Sequence, residues 1–170
     1  MITPEFSRPH RLDAIGAGER EVRVEADAGE RAALARRFGL MAIDRLAADF
    51  AIRRDATGVI ARGTLSGAVV QACGVTGEPV PAKVEEAFDI RFLPEPEAGA
   101  DEVELSEDEC DTVFYSGGAI DLGEAAAETL ALALDPFPRS PNAEAALREA
   151  GVLSEAQTGP FAALAKLKKT

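Results

Sequence analysis

LAADFAIRRDATGVIARGTLSGAVVQACGVTGEPVPAKVEEAFDIRF, residues 46–92, decides the fold class. Leu46, Ala48, Phe50 and Ile52 alternate with Asp49 and Arg53, the period of two expected where one face of a strand is buried and the other wet. RDATG at 54–58 is a turn with glycine late in it, so VIARGTLSGAVVQA returns as the second arm of a hairpin. Gly63 and Gly67 in that arm predict a bend or bulge. A cysteine-bearing turn follows and runs to about Pro81. Beyond it Val84, Phe88, Ile90 and Phe92 alternate with Lys83, Glu85, Asp89 and Arg91. The three strands predict an antiparallel meander.

Outward from this scaffold the pattern is mixed. EFSRPHRL at 5–12 reads as an edge strand, because Pro9 removes a ladder donor. EREVRVEA places Val22 and Val24 between charged residues, a second short strand. Asp27 with Glu30 forms a capping box, Leu34 and Phe38 share a helical face, and Gly39 supplies the left-handed stop. Downstream, Phe114 and Tyr115 lie in a further strand, and Asp121 with Glu124 opens a helix. That helix gathers Leu122, Ala126, Leu130, Ala133 and Leu134 on one face and ends at Asp135-Pro136. Ala143–Glu149 reads as a short helix, and Phe161, Leu164 and Leu167 recur at helical spacing in the tail. The fold class is α+β: an antiparallel, curved sheet of five to seven strands with two principal helices and a short helical C-terminal tail, in a single domain spanning 1–170.

Charge bounds the partners. The 170 residues carry 30 acidic and 18 basic side chains, a formal net charge of −12. Affinity for nucleic acid comes largely from Lys and Arg displacing counterions, so this balance works against direct RNA binding and favours a basic protein partner. Glu95–Asp111 is an acidic loop without a basic residue, either a solvated insert or a docking segment. No stretch approaches the roughly 18 apolar residues of a membrane helix, and the N-terminus has no apolar targeting core, which predicts a cytoplasmic protein.

Candidate chemistry is sparse. His10, the single histidine, has no orienting partner nearby in sequence. Cys73 ends a strand with no Lys, Arg or His close by to activate it, which favours a partly buried structural thiol. Cys110 lies among acids that would raise a thiol pKa. Neither G-x-x-x-x-G-K-[ST] nor G-x-G-x-x-G occurs, and the arginines are dispersed. These features predict no enzyme, no cofactor and no metal.

Cys73, Val75, Thr76, Glu78 and Pro79 with the following strand, then Asp121-Leu122-Gly123-Glu124 opening a leucine-rich helix, then Asp135-Pro136-Phe137-Pro138-Arg139, resemble the YceD family of large ribosomal RNA subunit accumulation proteins. The ending looks like the alphaproteobacterial form. The resemblance implies a ribosome-biogenesis factor without assigned catalysis, and marks Cys73, Thr76, Glu78, Pro79, Asp121, Leu122, Gly123, Glu124, Asp135 and Pro136 as motif positions. Many members of that family carry CxxC pairs in the turn and near the C-terminus, which implies a four-thiolate zinc site. Here Thr76 stands where the second turn cysteine would, and 136–161 contains no cysteine.

Three functions are consistent with these features. The first is a non-enzymatic assembly factor that contacts a basic ribosomal or assembly protein. The second is a regulatory interaction module for a metabolic enzyme such as one of lipid synthesis. The third, a thiol enzyme using Cys73, has least support. Asp121, Glu124 and Asp135–Pro138 read as capping and chain-reversal elements.

Overall fold

A computed structural model describes residues 3–97 and 111–152. The chain divides into two compact units, Met1–Val70 with Pro81–Leu134, and Gln71–Val80 with Asp135–Thr170. The elements in chain order are β1 (Pro9–Arg11), β2 (Arg20–Glu25), α1 (Ala28–Phe38), β3 (Ala42–Arg54), β4 (Val59–Ala72), β5 (Pro79–Pro94), β6 (Asp111–Tyr115), β7 (Ala119–Asp121), α2 (Leu122–Ala133) and α3 (Ala143–Glu149).

The class is α+β. In the first unit the main sheet has the order β2-β3-β4-β5-β6 and is open, with β2 and β6 at its edges. β2 and β4 each pair antiparallel with β3. β6 departs from the expected antiparallel sheet by running parallel to β5. A parallel neighbour needs a connection of a dozen or so residues, which the acidic segment after Pro94 supplies. The N-terminal strand does not join this sheet: β1 pairs with β7 in a two-stranded sheet of its own.

Leu46, Ala48, Phe50 and Ile52 are all buried, and meet Val59, Ala61, Leu65, Phe88 and Ile90 in one core. The Phe50 and Phe88 rings sit 4.8 Å apart at 49°, a tilted contact that ties β3 to β5. α2 covers this core with Leu122, Ala126 and Leu130 fully buried. Its small alanines let the helix come close.

The β3–β4 register is unbroken through Gly63 and Gly67, so neither makes a bulge in that pairing. The irregularity instead falls at Asp44, between Ile43 and Arg45. Both glycines mark close approach. A Cβ on Gly63 would lie 1.8 Å from the Asp49 carbonyl oxygen and 3.0 Å from Phe88, and one on Gly67 would lie 3.3 Å from Leu130 of α2.

α1 has the predicted capping box: Glu30 N donates to Asp27 Oδ1 at 2.9 Å, and Asp27 N donates to Glu30 Oε2 at 2.8 Å. Gly39 ends the helix in the left-handed conformation.

In the second unit, the Cys73 amide donates to the Glu78 carbonyl at 2.8 Å and the Gly77 amide to the Cys73 carbonyl at 2.9 Å, which closes a tight turn. Gly77 sits at φ +74°, where a side chain would be strained. The expected turn out to Pro81 is therefore shorter. Pro79 already opens β5, a position where a strand tolerates proline. α3 occupies the predicted Ala143–Glu149, whereas the helical tail, Cys110 and most of the 95–111 loop lie outside the described residues.

Candidate functional site

Two clusters gather the motif residues, one in each unit. In the first unit Asp121 is the hub. Its carboxylate accepts from the Gly123 and Glu124 amides at 3.0 and 3.1 Å, which caps α2, and from the Arg8 amide at 2.7 Å and the Ser7 hydroxyl at 2.5 Å. One side chain thus starts a helix and anchors the N-terminal segment over a hundred residues away. Leu122 is wholly buried beside it. Gly123 is needed because a Cβ there would meet the Phe6 carbonyl oxygen at 2.6 Å and the Arg8 amide at 2.9 Å.

Glu124 does not complete a capping box. It instead forms a forked pair with Arg37 of α1, at 2.7 and 3.0 Å, and Arg37 also reaches Glu5 at 3.1 Å. The Glu124 pair, then Glu5, raises the Arg37 pKa, so this cation is fixed in its charged form. Arg8 similarly forks onto Glu30. All four residues of the DLGE motif are therefore engaged in holding the fold, and none presents a free functional group.

The second cluster forms around Cys73. The sulfur is buried and accepts from the Val75 and Thr76 amides at 3.4 Å each. Thr76 Oγ1 lies 3.2 Å from Ser140 Oγ and donates to Glu78 Oε2 at 3.1 Å. Asn142 Nδ2 donates to both Glu78 oxygens, at 3.2 and 3.4 Å. Nearby, Gly74 N donates to the Pro138 carbonyl at 2.9 Å and Gln71 Nε2 to the Asp135 carbonyl at 2.9 Å. Asp135 also caps its own turn through the Phe137 amide, at 2.9 Å. That turn leaves Phe137 exposed.

The Ser140 amide foremost, then the Thr76 hydroxyl, lower the Cys73 thiol to about 6 against the opposing effect of burial. Cys73 is buried, further than the partial burial expected from sequence, and its pKa is lowered without a cation. The Ser140 contribution was invisible in sequence because that residue lies far downstream in a Ser-Pro-Asn turn with no cue to its partner. Arg37 was equally hidden, since its partner Glu124 lies 87 residues away.

His10 is satisfied by the Arg8 carbonyl at 3.0 Å. An open depression of about 540 Å³ lies over Glu21, Arg23, Asp49, Arg62 and Gly63, and both of its arginines are already paired, Arg23 with Asp49 and Arg62 with Asp89. Among the described residues no three His, Cys, Asp or Glu side chains converge as a metal centre. No described helix is long and apolar enough to cross a membrane.

The model of a family described as large ribosomal RNA subunit accumulation protein YceD matches residues 61–168. The chain belongs to the YceD family. No curated protein and no solved structure matches it. The YceD match takes in both the Cys73 turn and the DLGE helix entry, and leaves out the N-terminal segment that Asp121 anchors. The family's description points to accumulation of large-subunit ribosomal RNA.

Four-thiolate zinc, which the YceD resemblance implies for many members, does not fit here. The chain has two cysteines, and the cluster offers one thiol, two neutral hydroxyls and a carboxylate already engaged on both oxygens. Neutral hydroxyls fall outside the usual zinc ligand set of thiolate, imidazole and carboxylate.

Proposed function

We propose that this protein supports accumulation of large-subunit ribosomal RNA as a non-enzymatic assembly factor in the cytoplasm, acting through contact with a basic ribosomal or assembly protein. The family match over residues 61–168 carries the reading. Two further observations favour contact over catalysis. The polar motif side chains are spent on hydrogen bonds within the fold, and the net charge of −12 suits a cationic partner better than an RNA backbone.

Deletion of the gene in its own host, followed by measurement of the ratio of large- to small-subunit ribosomal RNA, tests the role. A lowered ratio with precursor particles on a sucrose gradient is the expected outcome. An unchanged ratio overturns it and favours regulation of a metabolic enzyme.

A further inference from the structure

We propose that the 73–78 turn is locked to the 138–142 segment by a metal-free clasp, in which the Cys73 sulfur, the Thr76 and Ser140 hydroxyls, Glu78 and Asn142 close through hydrogen bonds a junction that four thiolates and a cation would otherwise close. The proposal concerns how this unit holds together and does not depend on the role in ribosomal RNA accumulation.

The geometry argues for it in three steps. First, the turn is formed without outside help, by the Cys73–Glu78 and Gly77–Cys73 backbone bonds, and it points two amides at the sulfur. Second, a hydroxyl can donate and accept at once, so Thr76 serves as a relay: it accepts from the Glu78 amide at 3.2 Å, donates to the Glu78 carboxylate, and meets Ser140. A thiolate at position 76 could not donate and would set a further anion beside Cys73 and Glu78. Third, Ser140 is 94% buried by its 6% exposure, and its hydroxyl is partnered at Thr76. Burial without that partner would be costly. The Gly74–Pro138 bond and the Asn142–Glu78 pair flank the junction on either side, so the two segments are joined over their length rather than at one point.

The consequence is independence from zinc. The full-length protein, purified from zinc-supplemented medium, should hold no stoichiometric zinc by elemental mass spectrometry, and its melting temperature should be unchanged by EDTA. Thr76→Val and Ser140→Ala should each lower the melting temperature by about 2–4 °C. The double variant should lose less than the sum, because the two residues share one bond. Thr76→Ser, which keeps the hydroxyl, should retain the wild-type value. Amide hydrogen exchange over 73–78 supplies a local readout: Ser140→Ala should speed it, EDTA should not. A full equivalent of zinc released by Cys73→Ser overturns the proposal. So does a Thr76→Val, Ser140→Ala pair whose effects are absent or strictly additive.

Discussion

Gly123 gives the sharpest test at the scale of single residues, because intrinsic preference and packing have opposite signs there. Replacing glycine by alanine inside a helix ordinarily adds roughly 0.5–1 kcal/mol of stability. At Gly123 the new Cβ would strike the Phe6 carbonyl and the Arg8 amide, both backbone atoms that cannot swing aside. Gly123→Ala should therefore destabilise by about 1–3 kcal/mol, read as a shift in urea midpoint without a change of slope. Asp121→Ala should cost more than an ordinary cap, about 2 kcal/mol at the upper end of the capping range, since the Arg8 amide and the Ser7 hydroxyl lose their acceptor too.

Cys73 carries a pH signature. A thiol lowered from 9.0 to about 6 binds fewer protons folded than unfolded between those values, so its contribution to stability rises with pH across that window. The contribution is full above the ordinary thiol value and lost as pH falls through about 6. Glu78, which faces the turn, is lowered by Ser140, Asn142 and Thr76 and titrates below this window. The melting temperature of wild type minus that of Cys73→Ser should thus climb from pH 6 to pH 9. A flat difference would mean the thiol is protonated in the folded protein.

At the scale of elements, β3, β4 and β5 were legible because alternation is a local property of the sequence. Leu46 to Ile52 alternate whatever lies elsewhere, and the same holds for the Asp27–Glu30 box that opens α1. What sequence did not reveal was long-range partnership. The direction of β6 depends on a connection's length, the pairing of β1 with β7 on where α2 begins, and the role of Gly63 on the Phe88 ring of another strand. Glu124 shows the same limit: its spacing from Asp121 fits a capping box, yet Arg37 of α1 outcompetes the cap amide for it. That interhelical link is partly exposed, so Arg37→Ala should cost only about 0.5–1 kcal/mol, and the loss should shrink as salt is raised. Glycine at 63 is less forgiving. Gly63→Ala should unfold more readily than Arg37→Ala despite changing a single methyl, because the Asp49 carbonyl stands in the way.

For the whole molecule, the proposed partner is cationic and part of the large subunit's assembly, a reading that the family's description and the net charge of −12 both suit. An acidic surface speeds encounter with such a partner and does so through fields that salt screens within about 8 Å at physiological ionic strength. Complex formation with purified large-subunit proteins should therefore slow steeply between low and physiological salt, with the association rate falling more than the dissociation rate rises. Binding to naked ribosomal RNA should remain weak throughout. Comparison of the two variants Gly123→Ala and Thr76→Val separates scaffold from function in the same experiment. Each weakens the fold at a position whose described contacts are internal, so each should lower ribosomal RNA accumulation only in proportion to the folded protein left in the cell. A stable variant that binds large-subunit proteins normally yet fails to restore the RNA ratio in a deletion strain would show that contact alone is insufficient. A variant that restores the ratio without binding them would remove the basic partner from the account.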